Sequence, residues 1–543
     1  MQYTANRKKI LKLNDGFIFV IVIFFALFLR TFQLDNRPLH TDEAVHAIKF
    51  GELLEEGSYT YDPIEYHGPT LNYFTLVSTS LFGEETLQDI NETTIRLVPA
   101  IISLLLIASL LLLYQKNNFG LVTLIAFLLT ISPVIQFYSR YYIQEILLVA
   151  FSYSSFLTFF KYFRTKKLLW LVVSGVLVAL IFATKETSII TFFAATTAII
   201  ALSVFYKDFW KKILIKKNHF LIFAIVSSFV SILFYSSFFS NPQGIIDSIL
   251  TFGNYFSKAG NNIEHAQPLY YYIRLMFFSK TELVFYSGIP IFLFSLAGIY
   301  FSFLNKNEIQ NIFFFRFITI FSFTQAVVYS FISYKTPWLM LNFWTGILFL
   351  AGFGIYKSYK MINQKHYKVI FTLLVISILS HNIYQTYITS FKYPYQLENP
   401  FTYSQTTPEI ISIAEKVMSL AEANKNGKEV PINVIAKDND YWPLPWYLRK
   451  MKNIAWNNKV QNSVYQFPII IASPEFEEKI IEKLFSIPPP GKKNLYVPLF
   501  DEYLSLRPNV EIRGYVQKEY YDLYPRTLDE ENIIKNSQSI DDK

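Results

Sequence analysis

Two neighbouring carboxylates, Asp42 and Glu43, are the clearest candidates for catalytic residues in this chain. They follow the first apolar run and open a stretch with the spacing of an amphipathic helix. His46 lies four residues after Asp42 and so shares its helix face. Partial desolvation at a membrane boundary raises the pKa of a carboxyl group, which suits it to general-base chemistry. The alternative is that an acidic pair at a helix start only complements the helix dipole.

A turn in the sequence YDPIEYHGP carries the second group of candidates. Pro63 and the Gly68-Pro69 pair predict a turn that presents Glu65 and His67 before the next apolar run. A carboxylate and an imidazole are ligands that a divalent metal accepts. An ordinary surface loop is the alternative for these two residues.

Three cations lie at the ends of apolar runs. Arg140 and Glu145 bracket a turn before one run, where an ionisable residue is either functional or an arginine that extends to the headgroups. Lys185, in ATKETS, and Lys335, in SYKTPW, fall on the side where the positive-inside rule predicts few bases. A cation among aromatic residues suits a lipid phosphate. The alternative is an ion pair, for instance of Lys185 with Glu186 or Glu145.

Membrane spans are the elements that must position these side chains. The chain has 543 residues, of which 52% are hydrophobic and 17% are charged, against about 25% charged in a typical soluble domain. Its long apolar runs predict a polytopic α-helical membrane protein. The net charge of +8 is carried largely by short basic loops, which favours membrane orientation over a nucleic-acid partner. Cysteine is absent, so no disulfide can form.

About eleven spans are predicted, each needing roughly 20 apolar residues. The basic loops alternate along the chain and are expected to face the cytoplasm. Loop 35–93 and loop 240–282 are then expected on the outer side, together with the turns that hold the three cations. The predicted spans are Gly16–Leu34, Thr94–Tyr114, Phe119–Phe137, Glu145–Phe163, Leu168–Ala183, Ser188–Tyr206, Phe220–Phe238, Leu283–Leu304, Ile312–Ser333, Trp338–Tyr356 and Val369–Ile388.

The composition changes after the last span, so the chain is divided into a membrane module, 1–390, and a C-terminal domain, 391–543. In the second part TPEIISIAEKVMSLAEA and EFEEKIIEKLF have helical spacing. The runs PINVIA, NIAW and FPIIIAS are typical of short strands. Alternating helices and strands predict a small α/β domain, expected outside the membrane on the outer side.

These features together resemble the GT-C superfamily of membrane glycosyltransferases, which includes the protein O-mannosyltransferases and the lipid A aminoarabinose transferases. The shared pattern is an acidic pair after the first span, a His-Gly-Pro or His-Pro-Pro turn before the second, an Arg…Glu turn before the fourth and a late KTPW turn. The chain is most similar to the flippase-activity-associated subfamily, through HTDEAVHA, YDPIEYHGP, KTPW, FTYSQTTPE and WPLPWYLR.

The resemblance implies a GT-C-like bundle and an inverting transfer of sugar from a polyprenyl-phosphate donor to an acceptor hydroxyl. The reaction is expected on the outer face of the cytoplasmic (inner) membrane. Asp42 is implied as the base, and Glu43 as the group that orients the base or the acceptor. Arg140, Lys185 and Lys335 are implied to neutralise the leaving phosphate.

The remaining implied roles are substrate positioning by His46 and His67, and metal binding by Glu65, His67 and Glu145. Some relatives use a divalent metal and others do not, so this requirement stays open. His67-Gly68-Pro69 departs from the His-Pro-Pro turn of the mannosyltransferases. The sugar, and an acceptor that is a glycan, a lipid or a protein, also stay open.

The alternative function is a non-catalytic or transport component of a lipid-linked-sugar flippase system. A transporter is expected to show mid-span charges, inverted repeats or broken helices. The sequence shows few charges in the middles of the spans and no repeat, which favours the transferase.

Overall fold

The chain consists of two compact units. The computed structural model describes residues 2–64, 67–115, 118–206, 215–261, 266–304, 310–489, 491 and 493–524. One unit, here called the helical unit, comprises Met1–Asn36 and Lys49–Tyr403, and the other, the sheet unit, comprises Arg37–Ile48 and Ser404–Lys543. The C-terminal part of the sheet unit therefore begins at Ser404, beyond the predicted boundary at residue 390. The segment that contains Asp42 and Glu43 belongs to the same unit.

Helices form the first three quarters of the chain. A helix numbered α2 begins in the sheet unit and ends in the helical unit, so it connects the two covalently. The helices are α1 Gln2–Thr31, α2 Thr41–Glu56, α3 Thr70–Phe82, α4 Glu92–Ser109, α5 Phe119–Thr130, α6 Pro133–Tyr138, α7 Glu145–Thr165, α8 Leu168–Phe182, α9 Ser188–Phe205, α10 Lys217–Tyr235, α11 Gln243–Asn261, α12 Tyr271–Phe277, α13 Ile289–Leu304, α14 Gln310–Phe331, α15 Leu341–Met361 and α16 Lys365–Tyr387. A short hairpin, β1 Ser279–Lys280 with β2 Phe285–Tyr286, precedes α13.

Among the described residues, seven helices are long and apolar enough to cross a membrane, which confirms the prediction of a polytopic helical membrane protein. Four shorter apolar helices accompany them, at Gly16–Thr31, Phe119–Thr130, Leu168–Phe182 and Ile289–Leu304. The seven are Glu92–Leu113, Glu145–Thr165, Ser188–Phe205, Lys217–Tyr235, Ile312–Phe331, Pro337–Met361 and Lys365–Lys392.

The helix α15 is at the centre of the helical unit. In Pro337–Met361, 94% of the most apolar window is buried within the protein, against 6% in α10. Glycines let α15 approach α13 closely. A Cβ at Gly298 would lie 2.0 Å from the carbonyl oxygen of Leu350, and one at Gly354 would lie 2.1 Å from that of Phe294. Small residues at such crossings bring helix backbones together in membranes.

The sheet unit contains one mixed sheet with helices on its faces, and the predicted α/β character of this region is confirmed. The strand order is β4-β3-β5-β8-β6, with β7 paired to β8. β3 is parallel to β4 and β5, and β8 is antiparallel to β5, β6 and β7. The elements are α17 Glu409–Glu422, β3 Ile432–Ile435, α18 Leu444–Tyr447, β4 Ile454–Asn457, β5 Ile469–Ala472, α19 Glu477–Ser486, β6 Tyr496–Pro498, β7 Leu504–Arg507, β8 Val510–Gln517 and α20 Lys518–Asp522.

The central strand β5 shows why this sheet is covered on both faces. All four of its residues are buried, and successive side chains of a strand point to opposite faces. Ile469 and Ile471 pack in one core with residues of α17, whereas Ile470 and Ala472 pack in a second core with residues of α19. The predicted strand FPIIIAS is therefore buried on both faces, as its continuous apolar run allows.

Candidate active site

A buried ion pair between Arg37 and Glu43 stabilises the start of α2. Glu43 is 0% exposed and accepts two hydrogen bonds from the guanidinium of Arg37, at 2.7 Å and 3.2 Å. The same carboxylate accepts the backbone N–H of His40 at 2.9 Å, as in a helix capping box. Paired, bidentate contacts of this kind fix geometry as well as charge. Glu43 thus orders the helix start that carries its neighbour.

The carboxylate of Asp42 has a different environment. Its side chain is 47% exposed, and among the described residues it accepts no hydrogen bond. The imidazole of His40 is close to it, with Nδ1 3.9 Å from Asp42 Oδ1. That Nδ1 already accepts the backbone N–H of Asp42 at 3.1 Å, so it holds no proton to donate to the carboxylate. Asp42 is therefore accessible and able to accept a proton.

His46 lies one helical turn beyond Asp42 on α2, as the spacing predicts. Its side chain is buried, at 8% exposure. Burial limits the contact that this imidazole can make with a substrate. Its predicted positioning role stays a prediction.

The helical unit contains a second polar cluster, around Glu186. This residue lies in the turn between α8 and α9 and is 5% exposed. Its carboxylate is 2.7 Å from His67 Nδ1 and accepts the hydroxyl of Tyr61 at 3.2 Å. An ionised carboxylate only accepts, so Nδ1 carries the proton. The predicted positioning residue His67 is thus fixed by a partner that the sequence interpretation considered only for Lys185.

Gly68 explains how the turn before α3 reaches this cluster. A Cβ at Gly68 would lie 2.2 Å from the carbonyl oxygen of Ala183, so only glycine fits. The backbone N–H of Thr70 donates to that same carbonyl at 3.3 Å, and its hydroxyl lies 2.9 Å from that of Thr184. The glycine of the His-Gly-Pro turn therefore allows this loop to pack against the turn that carries Glu186.

Opposing effects act on the ionisation of this cluster. Burial by itself would raise the pKa of Glu186, but the charge and hydrogen bond of His67 outweigh it and lower the pKa below the ordinary carboxyl value. Burial, with the nearby Glu186 charge, raises the pKa of Tyr61. Glu186 is therefore held ionised, and Tyr61 is held as a neutral donor.

Lys185 forms an ion pair with Glu145, and both side chains are buried. Glu145 is the first residue of α7, where a carboxylate also complements the helix dipole. The carboxylate atom Oε2 is buried without a hydrogen-bond partner among the described residues. Of the two ion-pair partners left open for Lys185, the structure selects Glu145.

Arg140 caps the end of α1. Its guanidinium donates to the carbonyl oxygens of Leu29, Phe32 and Gln33, at 3.1, 2.5 and 2.5 Å. It also lies over the ring of Phe391, with 4.7 Å to the centroid. Cations at a helix C-terminus satisfy the last carbonyls. These contacts fix the chain where it leaves α1, and a phosphate ligand would compete with them.

Lys335 has a similar set of partners in the turn before α15. Its ammonium donates to the carbonyl oxygens of Gln267 and Ile332, at 2.9 and 2.5 Å. The residue is 1% exposed, and burial lowers the pKa of the ammonium. In this structure, Arg140 and Lys335 are therefore bound to carbonyls and Lys185 to a carboxylate, and binding of a phosphate would exchange those partners.

The predicted metal ligands are distributed over different partners. Glu65 lies outside the described residues. His67 contacts Glu186, and Glu145 contacts Lys185. In the part of the chain that the structure describes, no three His, Cys, Asp or Glu residues are grouped so as to hold a metal ion. Of the predicted ligands, His67 and Glu145 are thus described, and each contacts a different partner.

Glu186, Tyr61 and Arg37 are the site residues that sequence reasoning missed. Glu186 is an acidic residue between two apolar runs of the sequence, and an ionisable residue in such a position is a candidate functional residue. It was considered only as a partner of Lys185. Tyr61 and Arg37 carry no comparable signal, because a tyrosine or an arginine beside an acidic loop is common.

A family model and two kinds of solved structure match this chain. Residues 66–232 match the model of the dolichyl-phosphate-mannose-protein mannosyltransferase family. A sequence comparison with curated proteins finds no match. The crystal structure of ArnT from Cupriavidus metallidurans bound to undecaprenyl phosphate superposes with a TM-score of 0.60 at 13% identity, covering 93% of this chain and 97% of ArnT.

The oligosaccharyltransferase of Archaeoglobus fulgidus, solved in complex with Zn and sulfate, gives a TM-score of 0.53 at 14% identity. The alignment covers 92% of this chain and 73% of that one. The protein has the fold of the GT-C superfamily of membrane glycosyltransferases, which confirms the predicted fold class. Part of its sequence, residues 66–232, is similar to the protein mannosyltransferase family, and its fold is similar to that of ArnT.

Proposed function

We propose that this protein transfers a sugar from a polyprenyl-phosphate donor to an acceptor hydroxyl, with inversion, on the outer face of the membrane. The observation that carries the proposal is the contrast at the start of α2. Glu43 is buried and paired, whereas the adjacent Asp42 has a 47% exposed carboxylate that accepts no hydrogen bond among the described residues. A rigid helix start that presents one available carboxylate suits a general base.

The comparisons support the choice of donor class. The matching family is named for dolichyl-phosphate-mannose, and ArnT was solved with undecaprenyl phosphate. A further structure of the archaeal enzyme AglB contains dolichol-phosphate and an inhibitory peptide. Lipid phosphates are the ligands shared by these proteins, so a lipid-phosphate sugar is the donor that we propose here.

The chemistry needs one base and fixed cations. The carboxylate of Asp42 accepts the proton of the acceptor hydroxyl as its oxygen bonds to the anomeric carbon. The bond from that carbon to the phosphate oxygen breaks, and the lipid phosphate leaves with the electron pair. Glu43 orients the helix start through Arg37. Because the lipid phosphate is already a good leaving group, a second acid carboxylate is not required.

Lys185 and Lys335 are proposed to stabilise the negative charge on the leaving phosphate. Both ammonium groups are buried at the ends of candidate spans, where a low local dielectric strengthens charge stabilisation. The carbonyl partners of Lys335 are neutral, so a phosphate would displace them at little electrostatic cost. Arg140 is proposed for the same role, in competition with its cap on α1.

His67 is proposed to position the sugar, with its ring fixed by Glu186. A divalent metal at His67, together with Glu65 and Glu145, stays a prediction from the resemblance. Such a metal would polarise a donor oxygen. Dialysis against a chelator followed by metal add-back measures this requirement independently of the base.

Purified protein in proteoliposomes provides the test. Polyprenyl phosphates that carry different radiolabelled hexoses are supplied as donors, with a membrane extract as the acceptor source and heat-denatured protein as the control. We expect one donor to release free polyprenyl phosphate while the label appears on an acceptor with inverted configuration.

The opposite outcome is equally specific. Labelled lipid that crosses the bilayer without cleavage of the sugar–phosphate bond would contradict the proposal and support the flippase alternative. An intact donor pool with no transbilayer movement, across the whole panel, would also overturn the proposed donor class.

A further inference from the structure

Within the sheet unit, the segment before Asp42 is attached to the C-terminal part of the chain by contacts between residues far apart in sequence. The backbone N–H of Leu39 donates to the hydroxyl of Tyr447 at 2.8 Å. The side chain of Gln405 donates to the carbonyl oxygen of Pro38 at 3.4 Å. A third contact joins Arg507 to Thr41. Residues 38 to 41 are therefore held by α18 through Tyr447, by β7 through Arg507, and by the segment that contains Gln405.

Arg507 makes the contact nearest to the proposed base. One end of its guanidinium, Nη1, donates to the hydroxyl of Thr41 at 3.3 Å, and Thr41 is the first residue of α2. The other end forms an ion pair with Asp440, which fixes the orientation of the planar group. Arg507 thus bridges the body of the sheet unit and the residue directly before Asp42.

The position of Arg507 in its strand is unusual. It is the last residue of β7, and the pairing with β8 shifts register between Ser505 and Arg507. Such bulges re-aim a side chain, and they are frequent beside functional sites. The guanidinium Nε is buried without a hydrogen-bond partner among the described residues. A buried unsatisfied donor costs free energy, so this arrangement is poorly explained by sheet stability alone.

We infer that the sheet unit serves as a positioning device for the proposed base, and that Arg507 is the positioning residue. The inference rests on the proposed function, in which Asp42 accepts the acceptor proton. A general base must lie within hydrogen-bond reach of its proton, and a misplacement of about 1 Å costs on the order of 10²-fold in rate. Arg507 acts through Thr41 and does not itself touch the reacting atoms.

Hydrogen exchange tests the attachment without any substrate. The amides from Ala44 to Ile48 are measured in full-length Arg507→Gln protein and in Arg513→Gln protein. Arg513 is a matched control on the adjacent strand, ion-paired to Glu477 and Glu511 and about a third exposed. We expect at least tenfold faster exchange of these α2 amides in Arg507→Gln and no change in the control, with the β3 and β5 amides unchanged in both.

Equal protection of the α2 amides in both variants would overturn the inference. Loss of protection throughout β3 and β5 in Arg507→Gln would overturn it as well, because Arg507 would then stabilise the sheet itself. Neither result depends on sugar transfer, so a failure of the proposed function does not affect this measurement.

The transfer assay tests the link to Asp42. We expect Arg507→Gln to lower kcat by 10- to 100-fold with the donor KM unchanged, and Arg507→Lys to recover part of the loss. In an Asp42→Asn background, Arg507→Gln should cause no further loss of the residual activity, because its effect passes through Asp42. A full additional loss in that background, or a loss confined to donor KM, would contradict the positioning role.

Discussion

The two units each place a carboxylate beside a histidine, but in opposite arrangements. In the helical unit, His67 donates to Glu186 at 2.7 Å, and the carboxylate is 5% exposed. In the sheet unit, His40 Nδ1 accepts from the backbone of Asp42 and so does not donate to its carboxylate, which is 47% exposed. Glu186 is satisfied and holds loops together, whereas Asp42 keeps its capacity to accept a proton.

Glu43 shows that this difference is local. It is adjacent to Asp42 in sequence, yet its carboxylate is fully buried against Arg37 and the N–H of His40. The two acidic residues therefore have different roles. Glu43 stabilises the start of α2, and Asp42 exposes its carboxylate from that helix start. The comparison predicts large stability effects at the satisfied carboxylates and a small one at Asp42.

The largest stability effect is expected at the buried ion pair. Glu43→Gln removes the carboxylate that pairs with the buried guanidinium of Arg37, and breaking a buried ion pair costs about 3–5 kcal/mol in the free energy of unfolding. SDS titration of the purified protein in mixed micelles measures this change. Glu56→Gln, an exposed position on the same helix, is the control and should change stability by less than about 0.5 kcal/mol. A change in the free energy of unfolding of Glu43→Gln as small as that of the control would contradict the proposed structural role of Glu43.

Glu186→Gln is expected to have the next largest effect. The neutral amide oxygen of glutamine can accept the His67 hydrogen bond only without the assistance of charge, and this loss costs about 1–2 kcal/mol. The same titration measures it, with Glu52→Gln as an exposed control. A loss below that of the control would mean that the His67 contact contributes nothing to folding.

The pH dependence of this loss has a defined sign. The pKa of Glu186 is lower in the folded protein than its ordinary value, so its contribution is present above the ordinary carboxyl range and is lost as the pH falls through the lowered pKa. The stability difference between wild type and Glu186→Gln should therefore be full at pH 7 and shrink on acidification. Unfolding measured from pH 7 down to pH 3 checks this, and a difference that grows towards low pH would reverse the assignment.

A smaller effect is expected from the attachment of the acidic segment. Tyr447→Phe removes the acceptor of the Leu39 N–H, which costs about 0.5–1.5 kcal/mol. Tyr503→Phe, at a residue 74% exposed, is the matched control. Unfolding of the two variants is compared in the same micelles. Equal stabilities would show that this hydrogen bond is dispensable.

The sequence predicted the helical architecture well because apolar periodicity depends on local pattern. All seven long helices coincide with predicted spans, and FPIIIAS and PINVIA correspond to β5 and β3. The antiparallel strand β8 was not predicted, although Val510, Ile512 and Val516 alternate with more polar residues in VEIRGYVQ, a period-two signal that the sequence interpretation missed. Contacts such as that of Leu39 with Tyr447 have no local signature, so the grouping of residues 37–48 with the C-terminal unit was not foreseen.

The sequence predicted which residues belong to the candidate site better than it predicted which groups those residues contact. Lys185 and Lys335 stood out because bases were unexpected at those positions, and Arg140 because it is an ionisable residue at the start of a span; all three are buried. Their actual partners depend on tertiary packing, which brings Glu145 to Lys185 and backbone carbonyls to the other two cations. Glu186 was underestimated because its partner His67 is more than a hundred residues away in sequence.

Sugar transfer by Asp42→Asn, measured alongside its stability, tests the central claim most directly. The account predicts a free energy of unfolding within about 0.5 kcal/mol of wild type and a transfer rate lower by about 10²–10⁴-fold, the usual contribution of a general base. Glu56→Gln on the same helix should keep the wild-type rate. Unchanged turnover in folded Asp42→Asn protein would contradict the assignment of Asp42 as the base.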